Sequence, residues 1–446
     1  MDEPSPRTRW RPFAAVPVTV KRLIYFGAPT NVAGGFFFVV VSAYLPEVGL
    51  GPEVVGTILG VSGLTMVLSA IPLGIVSDRR GRKTMLILGS AAFSPVLLVF
   101  AFTTNPTVLI LMGLVSGVAQ AAFLSTWNAL IADGTPLEDR NAAFALSFIV
   151  GTTMSGLGFA FPLFFPALRG WTGLDSEAVH RVFLVAFGLL SVATPIAFGF
   201  LLRHHVEILR PRAAVRASRE RSSPWRLGVL RLKMRELARR LDRVLEKHRL
   251  LLKFSLINGF IGLGAGFIIP LIPTWLFYKF GIQDTYSGPL LAVSNVAMGL
   301  AGFASAGLAR RYGSVRAAVM TQSLSTGFMV SLAFVPNPVL AGGLYVVRAA
   351  LMNMSSPILD SYLMSIINPE DRGFASAVNS IIWRLPNSIS TVAGGVILAA
   401  GLYDLPFLIA ASFYAVGITS FYAAFRGVRA RPAAGAGRQS SISGRE

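Results

Sequence analysis

Long runs without a charged residue limit what this chain can fold into more than any other feature. Residues 54–76 and 84–103 are two such runs. Each is long enough to cross about 30 Å of hydrocarbon as a helix. The whole chain is 53% hydrophobic and only 14% charged, whereas soluble domains contain about 25% charged residues. The sequence therefore predicts an all-α integral membrane protein.

The same reading along the chain predicts twelve transmembrane helices. They cover residues 23–45, 54–76, 84–103, 107–132, 142–166, 181–202, 254–278, 286–309, 315–334, 339–366, 374–401 and 405–425. Polar segments divide the chain into an N-terminal tail (1–22), a first six-helix bundle (23–202), a linker (203–253), a second bundle (254–425) and a C-terminal tail (426–446). The last tail is rich in Arg, Ala, Gly and Ser and is expected to be disordered.

The linker contains an amphipathic pattern. Between Trp225 and Leu250, apolar residues recur at intervals of three and four, and Arg and Lys fill the positions between them. This pattern predicts a basic helix that lies on the cytoplasmic leaflet of the lipid bilayer. A regulatory partner docking on the same helix is the alternative.

The charges are distributed very unevenly. The chain has 40 Lys and Arg and a net charge of +19, and this distribution argues against a nucleic-acid partner. All the basic residues fall on one side of the predicted topology except Arg169, Arg181 and Lys279 in loops on the other side, and Arg348 and Arg384 inside spans. The positive-inside rule then predicts a multi-pass protein of the cytoplasmic membrane with both termini cytoplasmic. The basic N-terminus leads straight into a full-length span, so no cleavable signal peptide is expected.

The two predicted bundles repeat each other. Three residues in or just after the first span recur 227 positions later, since Asn31, Gly35 and Pro46 match Asn258, Gly262 and Pro273. Arg140, at the end of a Pro-Leu-Glu-Asp-Arg turn, recurs 232 positions later as Arg372. The repeat predicts two pseudo-symmetric halves of parallel topology.

A short basic hairpin joins the second and third spans. It runs from Gly74 to Lys83 with the pattern G-x-x-x-D-R-x-G-R-K, and its defining residues are Gly74, Asp78, Arg79, Gly81, Arg82 and Lys83. Its basic residues place it in the cytoplasm. The glycines let the two helix ends approach closely. A generic cytoplasmic loop, the alternative, would need basic residues but neither the Asp nor the fixed glycines.

This hairpin resembles the signature loop of the major facilitator superfamily. The resemblance implies a transporter that works by alternating access, with the site between two six-helix bundles. It also implies that Asp78 and Arg79 latch the two halves together near the eleventh span. The second copy of the loop, from Gly307 to Gly313, lacks the Asp.

No catalytic set is present. All four histidines (His180, His204, His205 and His248) are expected in loops, there is no cysteine, and no metal or cofactor site is predicted. We therefore expect no enzyme. The functional residues are expected among the polar residues inside spans. A polar side chain is energetically costly in the bilayer, so its presence there indicates a role.

The resemblance implies that spans one, four, seven and ten line a central substrate cavity. Their polar candidates are Asn31, Gln120, Asn128, Asn258, Arg348 and Asn353. Asn31 and Asn258 could equally hydrogen-bond to neighbouring helices. Gln120 and Asn128 are eight residues apart and share nearly one helix face.

Three charges lie inside the spans. Asp360 and Arg384 both fall about 9–15 Å from the cytoplasmic ends of their helices and are expected to pair. Arg348 is about 18 Å along the helix from Asp360, so it is left to face water or bind an anion. Backbone carbonyls and water are the alternative partners for Arg348. Asp360 is the only acid clearly inside a span, so it is the candidate proton carrier.

The chain most resembles the drug-efflux-like bacterial and archaeal permeases of the superfamily, in Leu130–Pro136 and in Asp371-Arg372. It lacks the Gly-Pro pair of span five and the embedded Arg of span four typical of drug antiporters. The resemblance implies a monomer that binds a small molecule, contacts lipid and exports amphiphilic compounds in exchange for protons. Uptake or exchange of an anionic metabolite is the alternative because of Arg348. A transporter-like receptor or scaffold is a third reading.

Overall fold

A computed structural model describes residues 13–201, 249–367 and 371–428 of the chain. Within these ranges all regular secondary structure is helical. The all-α fold class is therefore confirmed. Most of the predicted amphipathic linker helix, most of the N-terminal tail and nearly all of the C-terminal tail lie outside the described residues.

Twelve long helical segments follow one another in the described ranges, and we name them α1 to α12. They are α1 (Val18–Glu47), α2 (Pro52–Arg80), α3 (Arg82–Phe102), α4 (Pro106–Asp133), α5 (Arg140–Ala160), α6 (Ser176–Leu201), α7 (Arg249–Gly266), α8 (Asp284–Tyr312), α9 (Ser314–Ala333), α10 (Pro338–Ile366), α11 (Arg372–Ala399) and α12 (Leu405–Phe425). Ten are long and apolar enough to cross a membrane. The other two, α9 and α10, have the length but carry more polar side chains.

Three helices are interrupted or continued by a tighter or wider turn. In α1 a π-helical turn, Val40–Tyr44, precedes the last residues. After α5 a 3-10 turn leads into the short helix Phe165–Thr172. After α7 a similar turn leads into the helix Ile272–Phe280. Proline stands in the first turn of both short helices, where its missing N–H would have no helical partner.

The chain forms two compact units. Unit 1 holds the described residues of Met1–Leu50, Val61–Arg212 and Gln283–Ala292, and unit 2 holds those of Gly51–Gly60, Ala213–Ile282 and Val293–Glu446. Each unit therefore includes about ten residues from the half of the sequence that otherwise forms the other unit. One of these borrowed segments, Gln283–Ala292, contains the first turns of α8.

The same packing plan is found in both units. In unit 1, α1 packs against α5 and α6, and α3 packs against α4 and α6. In unit 2, α7 packs against α11 and α12, and α9 packs against α10 and α12. Each contact in unit 2 thus involves the helices six places later than its counterpart in unit 1. The sequence repeat is accordingly also a repeat of helix packing.

One pair of repeated glycines has a steric role. A Cβ atom on Gly35 would overlap the backbone oxygen of Ser155 in α5, and one on Gly262 would overlap the backbone oxygen of Trp383 in α11. Both positions are fully enclosed helix contacts where only hydrogen fits. The small residues allow the two backbones to meet, as in many membrane helix pairs.

We expect Gly35→Ala to destabilise the protein by about 1–3 kcal/mol, since the added methyl group meets backbone that cannot move aside cheaply. The neighbouring residue provides a matched control, because a Cβ on Gly34 meets nothing within 4 Å. Gly34→Ala should be neutral or stabilise by up to about 1 kcal/mol. Thermal unfolding in one detergent measures both. Equal melting temperatures for the two variants would contradict the steric role.

The hairpin between α2 and α3 has a backbone that requires glycine. Gly81 immediately precedes α3 with a φ of 102°, and Gly313 immediately precedes α9 with a φ of 81°. Residues with a side chain rarely adopt this region. The two glycines are 232 positions apart, so the repeat extends to the conformation of this turn.

Candidate functional site

Unit 1 contains a cavity of about 390 Å³. Residues of α1, α4 and α5 line it: Ile24, Asn31, Phe123, Leu124, Trp127, Asn128, Phe144, Ser147, Phe148, Val150 and Gly151. Two of the predicted substrate-contact residues, Asn31 and Asn128, are therefore brought together. Two further polar residues, Trp127 and Ser147, lie in the same wall.

The polar groups of this cavity are partly bonded within the wall. The Asn31 side-chain nitrogen donates to the backbone oxygen of Gly27, 3.2 Å away in its own helix. The indole N–H of Trp127 donates to the Ser147 hydroxyl oxygen at 3.0 Å. Asn128 is exposed. These groups place two side-chain amides and a hydroxyl on an otherwise apolar surface.

Aromatic rings make up much of the remaining wall. Phe123 stacks on Trp127 with ring centres 5.1 Å apart. Phe144 and Phe148 are one turn apart in α5 and are 37% and 68% exposed. None of the residues that line this cavity is charged. The surface therefore suits a ligand with an apolar or aromatic body and a few hydrogen-bonding groups.

The other predicted cavity residues lie elsewhere. Gln120 donates to the hydroxyl oxygens of Ser116 and Ser62, at 3.0 and 3.4 Å. In unit 2, Asn258 donates to the side-chain oxygen of Asn379 in α11, at 3.2 Å. This is the contact with a neighbouring helix that was the alternative for Asn258. Asn353 is exposed and donates to the backbone oxygen of Ala349 at 2.9 Å.

Arg348 is buried rather than open to a cavity. Only 3% of the residue is exposed. Its Nη2 donates to the hydroxyl oxygen of Tyr414 at 2.8 Å, and its guanidinium carbon is 5.7 Å from the centre of that ring. Its Nε has no hydrogen-bond partner in the described part of the chain. A tyrosine of α12, which sequence reasoning did not consider, is thus the partner of this cation.

The expected ion pair between Asp360 and Arg384 does not form. Both side chains are exposed, and among the described residues neither has an ion-pair partner. The sequence gives the depth of each residue along its helix, but it does not give the rotation of each helix about its axis, which decides whether two side chains meet. This expectation is therefore corrected: each group is available separately.

The hairpin is anchored through Arg82. Its guanidinium pairs with the carboxylate of Asp133 at the end of α4 and donates to the backbone oxygen of Ala129 at 3.1 Å. The partner was missed, although the topology contains the signal: α3 begins on the same side on which α4 ends. Asp78 and Arg79 lie in the last turn of α2, and their proposed latch role stays a prediction.

His180 is placed differently from the expectation that it lies in a loop. It belongs to the first turns of α6 and is only 1% exposed. Its Nε2 is 2.7 Å from a carboxylate oxygen of Asp284 at the start of α8. The loop prediction is wrong for His180 because α6 begins at Ser176, five residues earlier than expected. The other three histidines lie outside the described residues.

Comparison with known proteins identifies the kind of molecule to which these features belong. The model of the Major Facilitator Superfamily matches residues 23–390, with a second match over residues 254–443. The multidrug resistance protein MdtG of Dickeya zeae is 24% identical over 390 residues, which are 85% of this chain and 87% of that protein. The gallate transporter of Pseudomonas putida is 27% identical over 37% of this chain, a match that spans only 35% of that transporter.

Among solved structures, the nucleoside transporter NupG superposes with a TM-score of 0.69. The superposition covers 91% of this chain and all of the NupG chain, at 15% sequence identity. An identity this low establishes the shared fold alone.

Proposed function

The chain belongs to the Major Facilitator Superfamily, and from that membership, which makes it a multi-pass membrane transporter, we propose that it exports amphiphilic organic compounds. The compounds would leave the cell across the cytoplasmic membrane in exchange for protons. The cavity between α1, α4 and α5 is proposed as part of the substrate site.

The chemistry of that cavity is the observation that supports this proposal. Its volume of about 390 Å³ lies in the range of small-molecule sites, about 300–1,000 Å³. Four aromatic residues and two side-chain amides line it, without a charged group. Such a wall favours a ligand with a flat apolar body and a few hydrogen-bonding groups. It also accepts different compounds, because it presents no fixed charge that a ligand must match.

The alternative, uptake or exchange of an anionic metabolite, needs a cation at the substrate. Arg348 was the candidate, and it is buried against Tyr414. The relatives support both readings, since MdtG is a multidrug resistance protein and the Pseudomonas putida protein is a gallate transporter. The uncharged cavity is the reason we favour amphiphilic compounds.

We expect Phe148→Ala to raise the half-saturating concentration of a transported dye about threefold to tenfold. An aromatic contact contributes about 0.5–1.5 kcal/mol beyond buried area, and a tenfold change corresponds to about 1.4 kcal/mol. Efflux of ethidium from reconstituted vesicles measures it. Phe164→Ala is the matched control, because Phe164 is 58% exposed and lies outside the cavity wall.

Each outcome decides something. A half-saturating concentration unchanged in Phe148→Ala would remove this cavity from the substrate site. Transport of gallate but not of ethidium by the unmodified protein would favour the anionic metabolite. If the unmodified protein transported neither compound and no member of a wider panel, the receptor or scaffold hypothesis would remain.

A further inference from the structure

A buried histidine–carboxylate pair lies in unit 1, apart from the cavity described above. It forms where α1 ends and where α6 and α8 begin. His180 and Asp284 are 1% and 2% exposed, and His180 Nε2 lies 2.7 Å from Asp284 Oδ2. The pair joins the borrowed segment Gln283–Ala292 to α6.

The hydrogen bonds of His180 fix how many protons the pair holds. Nδ1 lies 2.7 Å from the backbone oxygen of Ser176. A carbonyl oxygen can only accept, so Nδ1 must carry a hydrogen. If Asp284 were ionised and His180 neutral, two acceptors, Nε2 and Oδ2, would face each other at 2.7 Å. One further proton must therefore lie between Nε2 and Oδ2, whichever of the two atoms carries it.

The surroundings keep water away from this proton. The Tyr44 ring stacks on the imidazole with centres 3.6 Å apart, and the Phe165 ring meets it edge-on at 4.7 Å. A Cβ on Gly288 would come within 2.5 Å of the backbone oxygen of Phe159, so the start of α8 is in close contact with the end of α5. Loss of the shared proton would thus leave two lone pairs opposed in a site without solvent.

Other charged groups surround the pair. The carboxylate of Glu47 accepts a hydrogen bond of 2.6 Å from the backbone N–H of Asp284, at the N-terminus of α8. Arg169, in the short helix that follows α5, interacts electrostatically with Glu47. Glu177 and Arg181 of α6 interact electrostatically with Tyr44. Glu177 and Arg181 pair with each other at 2.6 Å on the exposed surface.

We propose that His180 and Asp284 form a proton-binding site that holds the first turns of α8 in unit 1 while the proton is bound and releases them when it is lost. One proton is therefore linked to closure of this contact. Its place in a transport cycle rests on the proposed function, because proton-coupled export requires a conformational step whose equilibrium depends on pH. The binding site itself requires no substrate.

The chain is suited to a direct test because it contains no cysteine. Ser287 lies in the borrowed segment, is fully buried and has a hydroxyl without a hydrogen-bond partner in the described residues. Ser287→Cys therefore exchanges one buried atom without breaking a bond. Its maleimide labelling rate, measured in detergent without substrate at about pH 5.5 and about pH 8.5, reports opening of the contact.

Thiols react faster at high pH because more of the thiol is ionised. The comparison is therefore made with Asp284→Asn in the same Ser287→Cys chain. An asparagine N–H can donate to the neutral imidazole and hold the contact without a titratable proton. We expect the rate to rise at least about tenfold more in the parent than in Asp284→Asn. One linked proton changes an equilibrium by up to about tenfold per pH unit. Glu177→Gln, which removes an exposed charge in the same helix turn as His180, should behave like the parent.

Hydrogen exchange of residues 283–292 in the unmodified chain is a second measurement, with α12 as the internal reference. If Ser287→Cys disturbs folding, this measurement still reports the pH-dependent opening, because it uses no substitution. Equal pH dependence in the parent and in Asp284→Asn, or no opening by exchange, would overturn the proton site. Because neither measurement uses substrate, a protein that opens with pH but exports nothing would instead contradict the proposed function.

Discussion

Replacing Asp360 by asparagine is expected to abolish solute accumulation driven by a pH gradient and to leave downhill exchange intact. Asp360 lies well inside α10, is exposed, and has no ion-pair partner among the described residues. A carboxyl group in such a position can take up and release a proton during each cycle, whereas a carboxamide cannot. Exchange needs only alternating access, so it should survive.

Vesicles loaded with solute measure both activities, with and without an imposed gradient. Asp175→Asn is the matched control, since Asp175 is exposed at the start of α6, where its side chain accepts the Ala178 N–H, and asparagine caps helices equally well. Accumulation by Asp360→Asn at the unmodified rate would contradict this role. If Asp284→Asn alone lost accumulation, the pair with His180 would be the carrier.

The second large effect is expected at the buried cation. Tyr414→Phe removes the partner of the Arg348 Nη2 and should destabilise the protein by about 1.5–3 kcal/mol, the usual contribution of a hydrogen bond to a charged group. Tyr422→Phe in the same helix is the control, because Tyr422 is 38% exposed. It should change the unfolding temperature little. Thermal unfolding in detergent measures both variants.

A double variant separates the structural role of Arg348 from a substrate role. Arg348→Met with Tyr414→Phe replaces both polar partners by apolar groups, so it should be less destabilised than Tyr414→Phe alone. A double variant that is destabilised by the sum of the single effects would mean that the two residues do not act as a pair. If it folded normally but lost uptake of an organic anion, the anionic-metabolite reading would regain its support.

Much of the architecture could be predicted because it depends on local properties of the chain. The length of each uncharged run identifies a span. Residues that recur at a fixed offset, such as Gly35 and Gly262, identify the repeat. The ends of the helices are less well determined. α6 begins at Ser176 rather than at residue 181, and that difference moves His180 from a loop into a buried helix turn.

The partners of buried polar groups could not be predicted for a different reason. A membrane helix is apolar on every face, so its sequence gives little indication of its rotation about its own axis. His180 and Asp284 are separated by 104 residues, and Arg348 and Tyr414 by 66. Nothing local in the sequence connects either pair. Asn31 and Asn128 were expected in one cavity only because the family resemblance assigns both helices to it.

The turns at Gly81 and Gly313 have a further meaning. Both glycines hold a positive φ immediately before the next helix, yet only the first copy has an aspartate in the preceding turn. The backbone of the turn is therefore the same in the two halves, whereas its acidic side chain is present in one. Only the first hairpin can offer a carboxylate to a partner. Two bundles with one packing plan thus differ in the chemistry that this turn provides.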